Sequence, residues 1–220
     1  MNQILEVKKN INHIQKKVLF YKKIFFLFLF TTILLNIYLF TKIDNLIKKE
    51  KVSKILLDNY YISNLYNGIN NNINSNRNIN NNYIADFQNF SNLNEVFCII
   101  KIPKINIKYP VLNVVSKENL QISPIKFSGK NLTENSNICI AGHNYSNGLF
   151  FSDINKLNIG DEIYLYNNSS NILIYIVYDI YEVNSNNLSP IEDQNRFKEL
   201  TLVTCNNFNN NRIIVKAKIP

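Results

Sequence analysis

LTLVTCNNFNNNRIIV, Leu200 to Val215, decides how the rest of the chain is read. A run of strand-forming residues ends on Cys205, a polar, turn-prone break follows from Asn206 to Asn211, and a second apolar run opens on Arg212. Alternate residues of a strand share a face. Leu200, Leu202 and Thr204 therefore point one way, and Thr201, Val203 and Cys205 the other. In the second run Ile213, Val215, Ala217 and Ile219 share one face, with Arg212, Ile214, Lys216 and Lys218 opposite. If the leucine and isoleucine faces form the core, Cys205 and Arg212 both project from the outer surface. The break between them is short enough for a hairpin, which sets the thiol near the guanidinium. That arrangement has a chemical use, because a thiol attacks only as an accessible thiolate and nearby positive charge favours it.

The chain has two histidines, His13 and His143. His143 ends NICIAGH, where Ile138 and Ile140 share one face and Cys139, Ala141 and His143 the other. Small residues beside the histidine leave space for a substrate. Taken singly, a lone histidine is more often structural and an arginine opening a strand is more often a solvated charge. Cys98 and Cys139 lie inside apolar runs and read as small buried hydrophobes, whereas Cys205 stands at the end of its run. Three cysteines leave at least one thiol free within a monomer.

Working outward, further strands are predicted at Val96 to Ile102, Ile105 to Leu112, Asn137 to Gly142, Glu162 to Tyr166 and Ile172 to Val183. Phe151, Ile154 and Leu157 fall on one helical face ahead of Gly160, so Phe150 to Asp161 reads as a short helical turn. Strands dominate from about Asn94 to Pro220, which favours a barrel or a sandwich.

Upstream the chain changes character. Ile24 to Phe40, IFFLFLFTTILLNIYLF, carries no charge and is near the lower length limit for spanning hydrocarbon. No small-residue cleavage site follows it and only Asn36 breaks its apolar character, so an anchor at 24–41 is preferred to a signal peptide or a core helix. Residues 1–23 precede it as a tail. Residues 42–66 read as an amphipathic stalk and 67–93, rich in Asn, as a flexible linker. The net charge of +8 comes with lysines concentrated around the anchor and no basic stripe interleaved with aromatics. A membrane-lipid partner therefore accounts for it better than nucleic acid. Asparagine makes up about a fifth of the chain, so single asparagines and chance Asn-x-Ser triplets such as Asn144 to Ser146 carry little information.

The ordered motifs carry a resemblance. IIKIPKINIKYPV (Ile99 to Val111), NICIAGHN, LFFSDINKLNIGDEIYLY (Leu149 to Tyr166), TLVTC (Thr201 to Cys205) and the arginine at Arg212 together resemble the sortases, membrane-anchored cysteine transpeptidases. The resemblance implies an all-β fold, a closed eight-stranded barrel with short helical turns preceded by a transmembrane helix. It implies catalytic roles for His143, Cys205 and Arg212, substrate contacts at Ala141 and Thr204, and no metal or cofactor. The implied partners are the sorting-motif peptide of a surface protein, similar to Leu-Pro-x-Thr-Gly, and an amine from cell-wall peptide or a pilin lysine. A cytoplasmic N-terminus and an external catalytic domain follow from the same likeness.

Residues 184–199 match the family's variable loop, and the adjacent Glu192 and Asp193 within it read as solvated carboxylates rather than calcium ligands. The lack of an Asp-Pro-aromatic lid and of a second anchor is expected to favour wall attachment over pilin polymerisation, and the lack of a long helical insertion before the cysteine strand speaks against the class specialised for haem-uptake proteins, which leaves class A or class D. Another Cys-His acyl-transfer enzyme would need different flanking sequence. A non-catalytic, membrane-tethered peptide-binding module remains the reading from a different class.

Overall fold

A computed structural model describes residues 2–70, 96–145, 148–167, 172–192 and 197–220. It divides into two compact units, Met1–Lys48 and Lys49–Pro220. One helix, α1 (Asn2–Asn70), runs through the first and into the second.

In the first unit α1 is long and apolar enough to cross a membrane, and its large side chains from Val18 to Phe40 are exposed. The few polar side chains there turn back on the helix. Thr31 and Thr32 donate to the carbonyls of Phe28 and Leu29, each at 2.8 Å, and Asn36 Nδ2 donates to Thr32 O at 2.8 Å. Such local bonds satisfy donors that hydrocarbon leaves without water.

In the second unit eight strands close a barrel in the order β1-β2-β3-β4-β7-β8-β6-β5. They are β1 (Val96–Ile102), β2 (Ile107–Leu112), β3 (Ile125–Ser128), β4 (Asn137–Ala141), β5 (Glu162–Tyr166), β6 (Ile172–Asn184), β7 (Glu199–Cys205) and β8 (Asn211–Lys218). Pairing is antiparallel except for β2 with β3 and β4 with β7. The interior is filled by alternate apolar residues, among them Ile100, Ile138, Ile140, Leu165, Tyr175, Leu200, Leu202, Val215 and Ala217.

Seven of these strands were expected from the sequence and β3 was not. It has four residues, too few to display a period, and meets β2 only at Leu112↔Ile125. The second expected strand also starts later than its sequence suggests. Pro103 opens a 3-10 turn, Pro103–Ile105, and Asn106 turns the chain at φ 52° before β2 begins. A short helix, α2 (Lys117–Ile122), is capped by Ser116 Oγ, which accepts from Asn119 N at 3.0 Å. The expected helical turn is the 3-10 segment Ile154–Lys156, and Phe151, Ile154 and Leu157 are all buried.

The stalk expected over 42–66 falls on α1, and from residue 49 on it belongs to the second unit, where it does more than connect. Ser53, Leu56 and Tyr60 are buried. Leu56 packs with Leu112 and Ile125, and Ser53 Oγ lies 3.2 Å from Ser123 Oγ. The linker expected over 67–93 overlaps α1 at 67–70, and its remainder lies outside the described residues.

The outer faces of β7 and β8 carry the half-buried Cys205 and Arg212 and are covered further along, where Thr201, Ile214 and Lys216 are buried. The connection after β6, with the 3-10 turn Ser189–Ile191, bonds to these faces through the Pro190 carbonyl.

Candidate active site

The site is assembled where β4, β7 and β8 end. Parallel pairing sets Ala141 beside Val203, and the antiparallel β7–β8 hairpin sets Cys205 directly opposite Arg212. β6 lies on the far side of β8, with Val183 opposite Arg212. Ala141, His143, Thr204, Cys205 and Arg212 all line one groove of about 550 Å³. The five positions singled out in the sequence therefore come together.

The histidine is delivered by a braced corner. Beyond β4, Gly142 N donates to Val203 O at 3.1 Å, and Thr204 Oγ1 donates to Gly142 O at 2.7 Å. Thr204 lines the groove, but its hydroxyl is already engaged in this brace and the residue is only 2% exposed. Gly142 is required by close approach, since a Cβ there would stand 2.7 Å from the Phe151 ring. The chain then leaves and returns. Asn144 and Phe150 form an isolated bridge, Phe150 turns at φ 53°, and Phe151 N donates to His143 O at 3.1 Å. Phe150 is fully buried and meets Tyr109 edge to face at 5.2 Å, so core packing holds the unfavourable backbone angle.

Three contributors to the site were not found by reading the sequence. Asn144 Nδ2 donates to Cys205 O at 3.0 Å, tying the histidine loop to the cysteine strand. The Tyr145 ring lies 5.0 Å from the His143 ring and 5.7 Å from Phe150, a shelf against which the imidazole rests. Glu182 on β6 collects the loop between Cys205 and Arg212. It accepts from Asn206 at 2.7 Å, Asn209 at 3.4 Å and Asn211 at 3.3 Å, bonds that hold its carboxyl below the usual range. Asn206 and Asn209 also turn the loop by accepting the amides of Phe208 and Asn211 through their side chains. The asparagines set aside on composition are structural here. Only their position between Cys205 and Arg212 distinguished them.

Electrostatics separate the groups. Burial, and after it the Lys49 ammonium, holds the His143 imidazole below its ordinary value. Lys49 sits 5.2 Å over the Tyr145 ring and 3.5 Å from its hydroxyl. Among the cysteines, Cys98 and Cys139 have no exposed surface, and burial pushes the Cys139 thiol up to about 12 and the Cys98 thiol up further. Cys139 lies in the groove wall without reaching its surface, and Cys205 is the half-buried member of the three. Among the described residues no three His, Cys, Asp or Glu gather as metal ligands, and Asp193 lies outside those residues.

Comparison with known proteins agrees with this geometry. Residues 100–219 match the family model for the sortase domain. The chain is 35% identical over 124 residues to sortase A of Bacillus anthracis, a match covering 56% of this chain and 58% of that relative. A solved Clostridium perfringens sortase D5 transpeptidase superposes with a TM-score of 0.60 at 25% identity, covering 78% of this chain and 99% of the other. Sortase C1 of Streptococcus agalactiae gives 0.54 at 27% identity, covering 59% and 70%. The three relatives carry three different class letters, so the likeness reaches the family and not the class.

Proposed function

The chain belongs to the sortase family, and from that premise we propose that it is a cysteine transpeptidase that cleaves a Leu-Pro-x-Thr-Gly-like motif and anchors surface proteins to the cell wall. The observation that carries this reading is the rung formed by Cys205 and Arg212 at the end of the β7–β8 hairpin, in one groove with His143.

In this mechanism the Cys205 thiolate attacks the Thr-Gly carbonyl carbon and a tetrahedral oxyanion forms. Arg212 donates hydrogen bonds to that oxyanion or to the adjacent peptide backbone, where a fixed positive charge in a partly dry groove is most effective. The C–N bond then breaks, and the His143 imidazolium gives its proton to the departing glycine amine, leaving a thioacyl-enzyme. An incoming amine attacks the thioester carbonyl, His143 takes its proton, and the thiolate leaves as the new amide bond forms. Burial, and after it Lys49, disfavours the imidazolium that protonation of the leaving amine requires.

The apolar stretch of α1 serves as the anchor in this reading, with residues 1–23 cytoplasmic and the barrel outside. The acceptor in this reading is a cell-wall amine.

The test uses the full chain in detergent micelles, incubated with Leu-Pro-x-Thr-Gly peptides and followed by intact mass. Wild-type chain should gain the mass of the acyl fragment and pass it to an added amine. Cys205→Ala should gain none, and Cys139→Ala should behave as wild type. An adduct that survives Cys205→Ala would sink the assignment.

A further inference from the structure

The outer face of the β7–β8 ladder is a series of paired rungs: Cys205↔Arg212, then Val203↔Ile214, then Thr201↔Lys216. The first two rungs line the groove and the third does not. Lys216, only 9% exposed, lies beneath the connection after β6. Its ammonium donates to Pro190 O at 3.1 Å and Thr201 Oγ1 at 2.9 Å, and reaches the Glu199 carboxylate at 3.6 Å.

A lysine has three N–H donors, so three partners are what a buried ammonium needs. The cluster extends further. Thr201 Oγ1 donates to Asn137 Oδ1 at 2.7 Å, and Asn137 Nδ2 donates to the carbonyls of Pro190 and Glu192 at 3.0 and 3.1 Å. Tyr178 donates to Glu199 at 3.0 Å. Thus polar side chains from β4, β6, β7 and β8 converge beneath one short segment, with Pro190 O at the centre. On its other side the same segment presents Leu188, Pro190 and Ile191 to the groove.

We propose that Lys216 is a positioning residue that, with Thr201 and Asn137, pins the Pro190 wall and closes the end of the groove remote from Cys205, so setting peptide affinity. This rests on the transpeptidase reading above. Two residues of strand rise about 6.6 Å, so the closed end stands about 13 Å from the Cys205 rung, the reach of about four extended residues. That length accommodates the residues of the motif on the acyl side of the cleaved bond. Lys216 touches no reacting atom, so its loss acts on binding rather than on bond breaking.

The experiment compares Lys216→Met, Thr201→Val and Thr201→Ser in the full chain in detergent micelles, by amide hydrogen exchange and by kinetics with a quenched Leu-Pro-Ala-Thr-Gly peptide. In Lys216→Met and Thr201→Val, the amides of Ile191 and Glu192, now bonded to Leu188 O and Ser189 O, should exchange about tenfold faster. KM should rise about five- to tenfold, with kcat within about twofold of wild type. Thr201→Ser keeps the hydroxyl and should match wild type in both.

Unchanged exchange in the first two variants overturns the proposal, and so does a fall in kcat at constant KM. If Lys216→Met does not fold, the Thr201 pair carries the same comparison. If the wild-type chain cleaves no peptide, the transpeptidase reading fails, while exchange at Ile191 and Glu192 still decides whether the wall is pinned.

Discussion

Gly142→Ala tests whether the histidine corner is as tightly braced as its contacts imply. The added methyl would stand 2.7 Å from Cγ and Cδ2 of Phe151 and 3.2 Å from its Cβ. Carbon atoms in ordinary contact lie about 3.5–4.0 Å apart, so one partner must retreat by about 1 Å. Phe151 is fully buried, and its amide donates to His143 O. The Gly142 backbone is held from the other side by Val203 O and the Thr204 hydroxyl. Whichever side yields, His143 moves with it. Overpacking of this kind costs about 1–3 kcal/mol, and each kcal/mol lowers Tm by about 2–8 °C. A displacement of about 1 Å at a catalytic group lowers kcat/KM by about 10²-fold. Thermal unfolding of the full chain in micelles and the rate of thioacyl accumulation measure the two effects. Gly142→Ala combined with Phe151→Ala removes the ring that clashes and should recover part of the rate despite lower stability. A single variant with wild-type kcat/KM refutes the reasoning, as does a double variant no faster than the single.

Three further predictions concern α1 within the barrel unit. Lys49→Met removes a positive charge that opposes protonation of His143, so the imidazole pKa should rise towards its ordinary value, read by NMR titration of the ring protons. In wild type the folded imidazole binds its proton less readily than the unfolded one, so its contribution to stability is present above pH 6.5 and is lost as pH falls through the folded value. Leu56→Ala should cost about 2–5 kcal/mol in urea unfolding, because the buried side chain packs on Leu112 and Ile125. A fragment beginning at Asn94 should show the same weakness relative to one beginning at Lys49.

The strands were legible where alternation ran for five or more residues, as in β4, β7 and β8. β3 escaped because four residues cannot display a period, and α2 because its cap, Ser116, sits among ordinary polar residues. Cys205, His143 and Arg212 were picked out as candidates because the ordered motifs around them resemble the sortases; taken singly, the histidine and the arginine had ordinary readings. Glu182, Asn144 and Tyr145 were not, since their contributions depend on neighbours supplied by other strands. Thr201 and Lys216 were assigned correctly to an outer face. No one-strand argument predicts that a distant segment will cover that face.

The parallel pairing of β4 with β7 has a kinetic consequence. Asn144 and Cys205, joined by a hydrogen bond, are 61 positions apart, with β5 and β6 in the chain between them. Contacts of such long sequence separation form late, after much of the chain's entropy has been given up, and they slow folding. The Cys205 thiol is therefore expected to meet Arg212 early, through a local hairpin, and His143 later, through the long-range β4–β7 pairing. In that order the three side chains share one groove only once the β4–β7 pairing is in place.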